Sequence, residues 1–219
     1  MLRVTLDSVA YDHKPDNREV GRITWRMNAA GPTELEASEF AQAVAHGHTW
    51  CGGCFEPKQE RFGMGFTSFQ AGALDFDNDT AVLDEHGKPA KDEQGHALKR
   101  PLMPWEAGYI DPWQAFARFA GMFGGLYSAL MLYPSFSFCF GGKVADLEDP
   151  STRMKYRLVY VLAEPTTDER TAKRLLGKML RAFPQADAKC ANVNRLYFSG
   201  TRAVLVESEG VSYFGRVDS

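Results

Sequence analysis

The stretch AGALDFD, residues 71–77, decides how the rest of the chain is read. Its apolar density predicts a buried strand, and that strand delivers Asp75 and Asp77 at its C-terminal end, where Asn78 and Asp79 open a turn. Alternation along a strand sends the two carboxylates to one face and Phe76 to the other, so the pair can share one hard cation. A strand end capped by turn-forming acids has the same spelling, so the triplet needs support from its surroundings.

Upstream, VTLDSVAY (4–11) and GRITWRM (21–27) read as two extended segments separated by Lys14, Pro15, Asp16 and Asn17, which together predict a hairpin. PTELEASEFAQAVAHG (32–47) has helical spacing, with Leu35, Phe40 and Val44 inward and Gly47 closing it, and a short irregular stretch follows. Downstream, the polar residues 84–106, rich in Gly, Pro and charge, read as a hairpin, a loop or a linker. A helix is expected from about Pro112 to Phe123, and a strand from Ala129 to Tyr133 after the Gly124-Gly125 break. KYRLVYVLAE (155–164) alternates as a strand and TDERTAKRLLGKMLRAF (167–183) is an amphipathic helix. RLYFSG (195–200) and AVLVE (203–207) are expected to close the sheet. Strands and helices in this irregular order predict an α+β fold.

The 219 residues suffice for a sizeable core, 44% are hydrophobic and 24% charged, and no apolar run reaches membrane-spanning length. The first residues, MLRVTLDSVAYDHK, break their apolar positions with charge, unlike a signal peptide or an anchor, so a cytoplasmic protein without membrane partners is expected. Cys51, Cys54, Cys139 and Cys190 then read as reduced thiols. The net charge of -3 hides an asymmetry: residues 151–202 hold eleven Lys or Arg against four acids. Such a basic segment suits a phosphate-binding surface or a solvated helix face.

The order of segments after the Asp pair is informative: YPSFSF (133–138), the basic strand start KYR (155–157), a helix, then FPQADAKCANVNRLYFSGT (183–201). It resembles the archaeo-eukaryotic primase superfamily, in particular the primase-polymerase domains of plasmid and phage replication proteins, over roughly residues 70–203. Asp75 and Asp77 match the family's first motif, Asp187 its third acid, and RLYFSGT the segment that follows. The resemblance implies a primase-like catalytic core, an RRM-like palm sheet at about 71–206 beside an N-terminal αβ module at about 1–70. It also implies that Asp75, Asp77 and Asp187 coordinate Mg²⁺ or Mn²⁺ for template-directed nucleotidyl transfer.

The implied partners are a single-stranded DNA template, NTPs or dNTPs, and a helicase C-terminal to the domain in one longer replication polypeptide. Ser135, Ser137, Lys155 and Arg157 are the candidates for holding the incoming triphosphate, since Arg forks two phosphate oxygens. Arg195, just after the third acid, is a candidate contact to nucleotide or template. In one respect the chain departs from the family, which places a histidine after the motif serine: here Phe138 follows Ser137, and all five histidines lie earlier. A non-catalytic DNA-binding domain of the same fold, or a metal-dependent nuclease using the same acids, are the alternative readings.

HGHTWCGGC (46–54) places His46, His48, Cys51 and Cys54 close together. All four are competent zinc ligands, but structural zinc sites commonly join two separated pairs. Cys51 and Cys54 also spell a redox pair without the preceding strand of a thioredoxin fold. The His pair would suit a rolling-circle nicking site, except that Gly47 separates it at a helix end. Trp50, Trp105 and Trp113 are candidates for base stacking or for the core.

Overall fold

A computed structural model describes residues 1–134, 155–208 and 210–215. In chain order its elements are β1 (Leu2–Ala10), α1 (Asn17–Ala30), β2 (Thr33–Leu35), α2 (Ala37–Ala45), β3 (His48–Cys51), β4 (Gly53–Phe55), β5 (Phe66–Phe76), β6 (Asp79–Ala81), β7 (Lys99–Pro101), α3 (Pro112–Phe123), β8 (Tyr127–Pro134), β9 (Tyr156–Thr166), α4 (Glu169–Ala182), a 3-10 helix (Ala188–Ala191), β10 (Arg202–Glu207) and β11 (Gly210–Gly215). The fold is α+β. A six-stranded antiparallel sheet runs β11-β10-β8-β9-β5-β4, a three-stranded one β2-β1-β3, and β6 pairs with β7.

The central strands read as continuous apolar runs because both faces of the large sheet are covered. Leu74, Phe76, Leu130, Leu132, Leu158 and Tyr160 point to the side packed by α3 and α4, against Phe119, Phe123, Leu176 and Phe183. Their neighbours Ala71, Ala73, Met131, Tyr133, Val159 and Val161 point to the other side, packed by α2 and the small sheet through Phe40, Val44, Leu2, Val4 and Trp50. This period of two fixes the register, since a slip by one residue would exchange the two cores. Phe119 anchors the first core, stacked on Tyr160 and Phe183.

The succession β5-α3-β8-β9-α4-β10 holds two split crossovers: β9 lies between β5 and β8, and β8 between β9 and β10. Outside β5 the sheet is completed by the short β4. The expected helices over 112–123 and 167–183 and the strands at AGALDFD, Ala129–Tyr133, KYRLVYVLAE and AVLVE are all present. Of the hairpin, loop and linker readings of residues 84–106 the structure takes the first, most of the stretch lying within a hairpin whose paired strands are β6 and β7.

Three expectations are corrected. GRITWRM is helix, within α1: the Asp16 side chain accepts from the Arg18 and Glu19 amides while Glu19 reaches back to the Asp16 amide, a capping box, and Ile23 and Met27 bury one helical face. No hairpin joins it to β1; β1 pairs instead with β2 and β3. The stretch after α2, expected to be irregular, supplies β3 and β4. RLYFSG forms no strand of the large sheet, and its Tyr197 bridges to Trp50 of β3.

The capping box gives a direct check. Asp16→Ala is expected to lower the free energy of unfolding by about 1 kcal/mol, read from urea denaturation; an unchanged midpoint would show that the box does not stabilise α1.

Candidate active site

Strand β5 carries Asp75 to its C-terminal end on the face opposite Phe76, directly across from Arg157 of β9, which in turn lies opposite Tyr133 of β8. Asp75 is 7% exposed, and a buried carboxylate must be paired. Its Oδ2 accepts from Nη2 of Arg195 at 2.9 Å and from Nη2 of Arg157 at 3.2 Å. Arg157 donates further to the Phe198 carbonyl and to the Tyr133 hydroxyl, whose oxygen also accepts from Nε1 of Trp50 at 3.0 Å. Burial works against the Arg157 charge, but Tyr133 and Asp75 outweigh it and raise its pKa. The guanidinium lies over the Tyr133 and Tyr197 rings, and that of Arg195 also lies over Tyr197.

Asp187 reaches this place from the far end of the chain. Its backbone N–H donates to the Asp75 carbonyl at 2.8 Å, and its side chain caps the 3-10 helix by accepting from the Lys189 amide at 2.9 Å. Nη1 of Arg195 lies 2.9 Å from Asp187 Oδ2, an ion pair rather than a well-aligned hydrogen bond, so one guanidinium bridges the two acids. Partial burial pushes the Asp187 carboxyl up, but the Lys189 amide and the Arg195 charge outweigh it and hold it below the usual range.

Asp77 and Asp187 line one cleft of about 500 Å³, together with Asn78, Asp79, Lys99, Gln185 and Lys189. Strand β5 ends at Phe76, so Asp77 is the first residue beyond it and is far more open than Asp75. Asn78, with φ of 43°, turns the chain, and its amide group donates to the Ile110 carbonyl at 2.9 Å and accepts from the Ile110 N–H at 3.1 Å. Leu102 N–H closes on the Asn78 carbonyl at 2.8 Å, so the hairpin is tied at its base. Lys155 Nζ contacts Asp77 at 3.2 Å and Asp79 at 3.3 Å, and Lys99 Nζ contacts Asp79 at 2.9 Å.

Of the three aspartates expected to act together, Asp77 and Asp187 share the cleft, while Asp75 is tied to Asp187 through its backbone carbonyl and through Arg195; Lys155 reaches Asp77. Arg157 is placed differently from the expectation of a phosphate-facing strand residue: it is 7% exposed and its contacts are to protein groups. Ser135, Ser137 and Phe138 lie outside the described residues. Asp79 and Lys99 were not anticipated; their approach depends on the pairing of β6 with β7, which no local spacing encodes. His46 Nδ1–H donates to the Gln42 carbonyl of α2 at 2.8 Å, and His48 Nδ1–H donates to the Asp7 carbonyl at 2.9 Å. Cys51 and Cys54 are buried, and burial pushes both thiols up. Trp50 belongs to the core, whereas Trp105 is exposed and Trp113 packs beside Phe116.

Hard carboxylate oxygens around a polar cleft are the donor chemistry that Mg²⁺ and Mn²⁺ take. Among the described residues, however, no three His, Cys, Asp or Glu side chains are drawn together tightly enough to form a ready ligand set. Fixed cations hold the acids apart: Arg195 and Arg157 at Asp75, Arg195 at Asp187, Lys155 at Asp77. Compared with protein-family models, with curated proteins and with solved structures, the chain finds no match.

Because the folded Asp187 carboxyl titrates below its unfolded range, its pairing adds stability that is complete above about pH 4 and is lost as pH falls through the lowered value. Asp187→Asn keeps a capping side chain and removes the charge. It is expected to lower the urea midpoint at neutral pH and to converge on wild type in acid; an equal deficit at both would assign the effect to something other than the ion pair.

Proposed function

We propose that the chain is the catalytic domain of a DNA primase-polymerase, joining nucleotides on a single-stranded DNA template with the help of Mg²⁺ or Mn²⁺. The observation that carries this reading is the convergence of Asp187 on the end of β5, where its N–H meets the Asp75 carbonyl and Arg195 spans both carboxylates beside the cleft that Asp77 and Asp187 share. The βαββαβ succession of the large sheet is that of an RRM-like palm, but the strand order differs from that fold, since β10 pairs with β8 and not with β5, so the sheet supports the reading by its succession alone.

Asp77 and Asp187 would hold the cation from the cleft and Asp75 from its floor. A bound divalent ion would lower the pKa of the attacking hydroxyl and neutralise the departing pyrophosphate. Arg195 would give up one carboxylate when both turn to the cation, and its freed Nη1 would face the cleft as a phosphate donor. Lys99 and Lys189 on the cleft wall, with Lys155 beside it, would supply positive charge for a triphosphate. Arg157 would act from beneath, keeping Asp75 ionised and oriented. The pairing of every site acid with a fixed cation favours a second reading, a DNA-binding domain of the same fold without turnover.

Extension of a labelled primer on single-stranded DNA with NTPs or dNTPs separates the two. Asp77→Ala, which removes an open side chain, is expected to cut incorporation roughly a hundredfold or more while leaving the thermal midpoint in place. Absence of extension by wild type in Mg²⁺ and in Mn²⁺, with DNA still bound, would leave the binding reading; shortening of the labelled strand would indicate a nuclease.

A further inference from the structure

We infer that the outer face of α1 and the cleft beside it form a seat for single-stranded DNA, with a base stacked on the indole of Trp25. Trp25 is 72% exposed on a helix whose opposite face buries Ile23 and Met27. It borders a cleft of about 480 Å³ lined also by Asn28, Arg61, Phe62, Asn194 and Leu196. The walls are fixed by backbone: Lys58 N–H donates to the Asn28 carbonyl at 2.8 Å, and the Asn28 side-chain amide donates to the Gln59 carbonyl at 2.6 Å. Gly63, with φ of 90°, lets Asn194 close in, since a Cβ there would come within 2.6 Å of Nδ2.

Charge identifies the occupant. Helical spacing puts Arg22 one turn and Arg18 two turns from Trp25 on the same exposed face, and Gly21 leaves the space between them open. Arg18, Arg22 and Arg61 form no ion pair among the described residues, while Glu60 is the acid of the cleft; Glu19 is turned away to His13 and the Asp16 amide. Guanidinium groups in line with an exposed aromatic ring, beside a pocket with amide side chains, match a phosphate backbone whose bases are free to stack. The seat also adjoins the candidate active site: Asn194 and Leu196 face the Trp25 cleft, while Arg195 between them faces Asp75 and Asp187.

The identification of the bound strand as a template rests on the primase-polymerase reading, but binding does not need turnover. Anisotropy of a labelled oligothymidylate, without nucleotide or divalent cation, is expected to show Trp25→Ala binding about tenfold more weakly than wild type, with Trp25→Phe recovering most of the loss. Both variants should unfold at the wild-type temperature, since the side chain is exposed. Indole quenching by the oligonucleotide should disappear in Trp25→Phe although binding persists, and Arg18→Gln or Arg22→Gln should each reduce the salt dependence by about 0.7 in log–log slope. Equal affinity of wild type and Trp25→Ala, or equal affinity for duplex and single strand, would overturn the inference, as would a wild type that does not bind the oligonucleotide because the face serves a protein. Trp25-dependent binding by a chain that never extends a primer would sustain this seat while removing the polymerase reading; extension unaccompanied by Trp25-dependent binding would do the reverse.

Discussion

The carboxylate of Asp75, buried at the end of a central strand, is the constraint on which the site depends. An unpaired charge in that position would be costly by several kcal/mol, so partners must be delivered to it, and geometry allows only a few sources. Arg157 comes from the adjacent strand by register. Arg195 comes from the irregular segment after the 3-10 helix, held by the Tyr197 bridge to Trp50. Satisfying one oxygen therefore fixes three separate parts of the chain, and through the Trp50–Tyr133–Arg157 contacts it ties the small sheet to the large one.

That constraint also explains where the basic residues of the C-terminal half went. Lys155, Arg157 and Arg195 turn toward carboxylates and do not spread over a surface. On α4, Lys173 pairs with Glu169 and Lys178 lies over Phe123, so part of that helix's charge is likewise used locally. A count of charge along a sequence records none of this, because opposite charges that meet in space are dispersed in the chain.

The large sheet and its two packing helices were legible because their signals are long and uniform: AGALDF, ALMLY and LVYVL are apolar on both faces, and the helices over 112–123 and 167–183 carry clean apolar stripes. GRITWRM misled because Ile23, Trp25 and Met27 alternate with Arg22, Thr24 and Arg26, which satisfies a period of two as well as the helical pair Ile23 and Met27 does. The deciding signal was Asp16 with Glu19 three residues on, which stood in the text as a capping box. That misreading hid Trp25, since only a helix turns it out of the core beside Arg22. The three aspartates were visible as a pattern, but their pairing with Arg195 was not, because nothing local specifies which cation closes on which acid.

The tie at the root of the β6–β7 excursion bears on how such a chain can change over generations. Asn78 grips Ile110 from both sides and Leu102 closes on Asn78, so the whole span between is stitched shut at its entrance. The entropy of closing a loop grows only slowly with its length. Descendants of this sequence could therefore lengthen, trim or replace the outer hairpin, and with it whatever it touches, while inheriting the floor of the cleft unaltered.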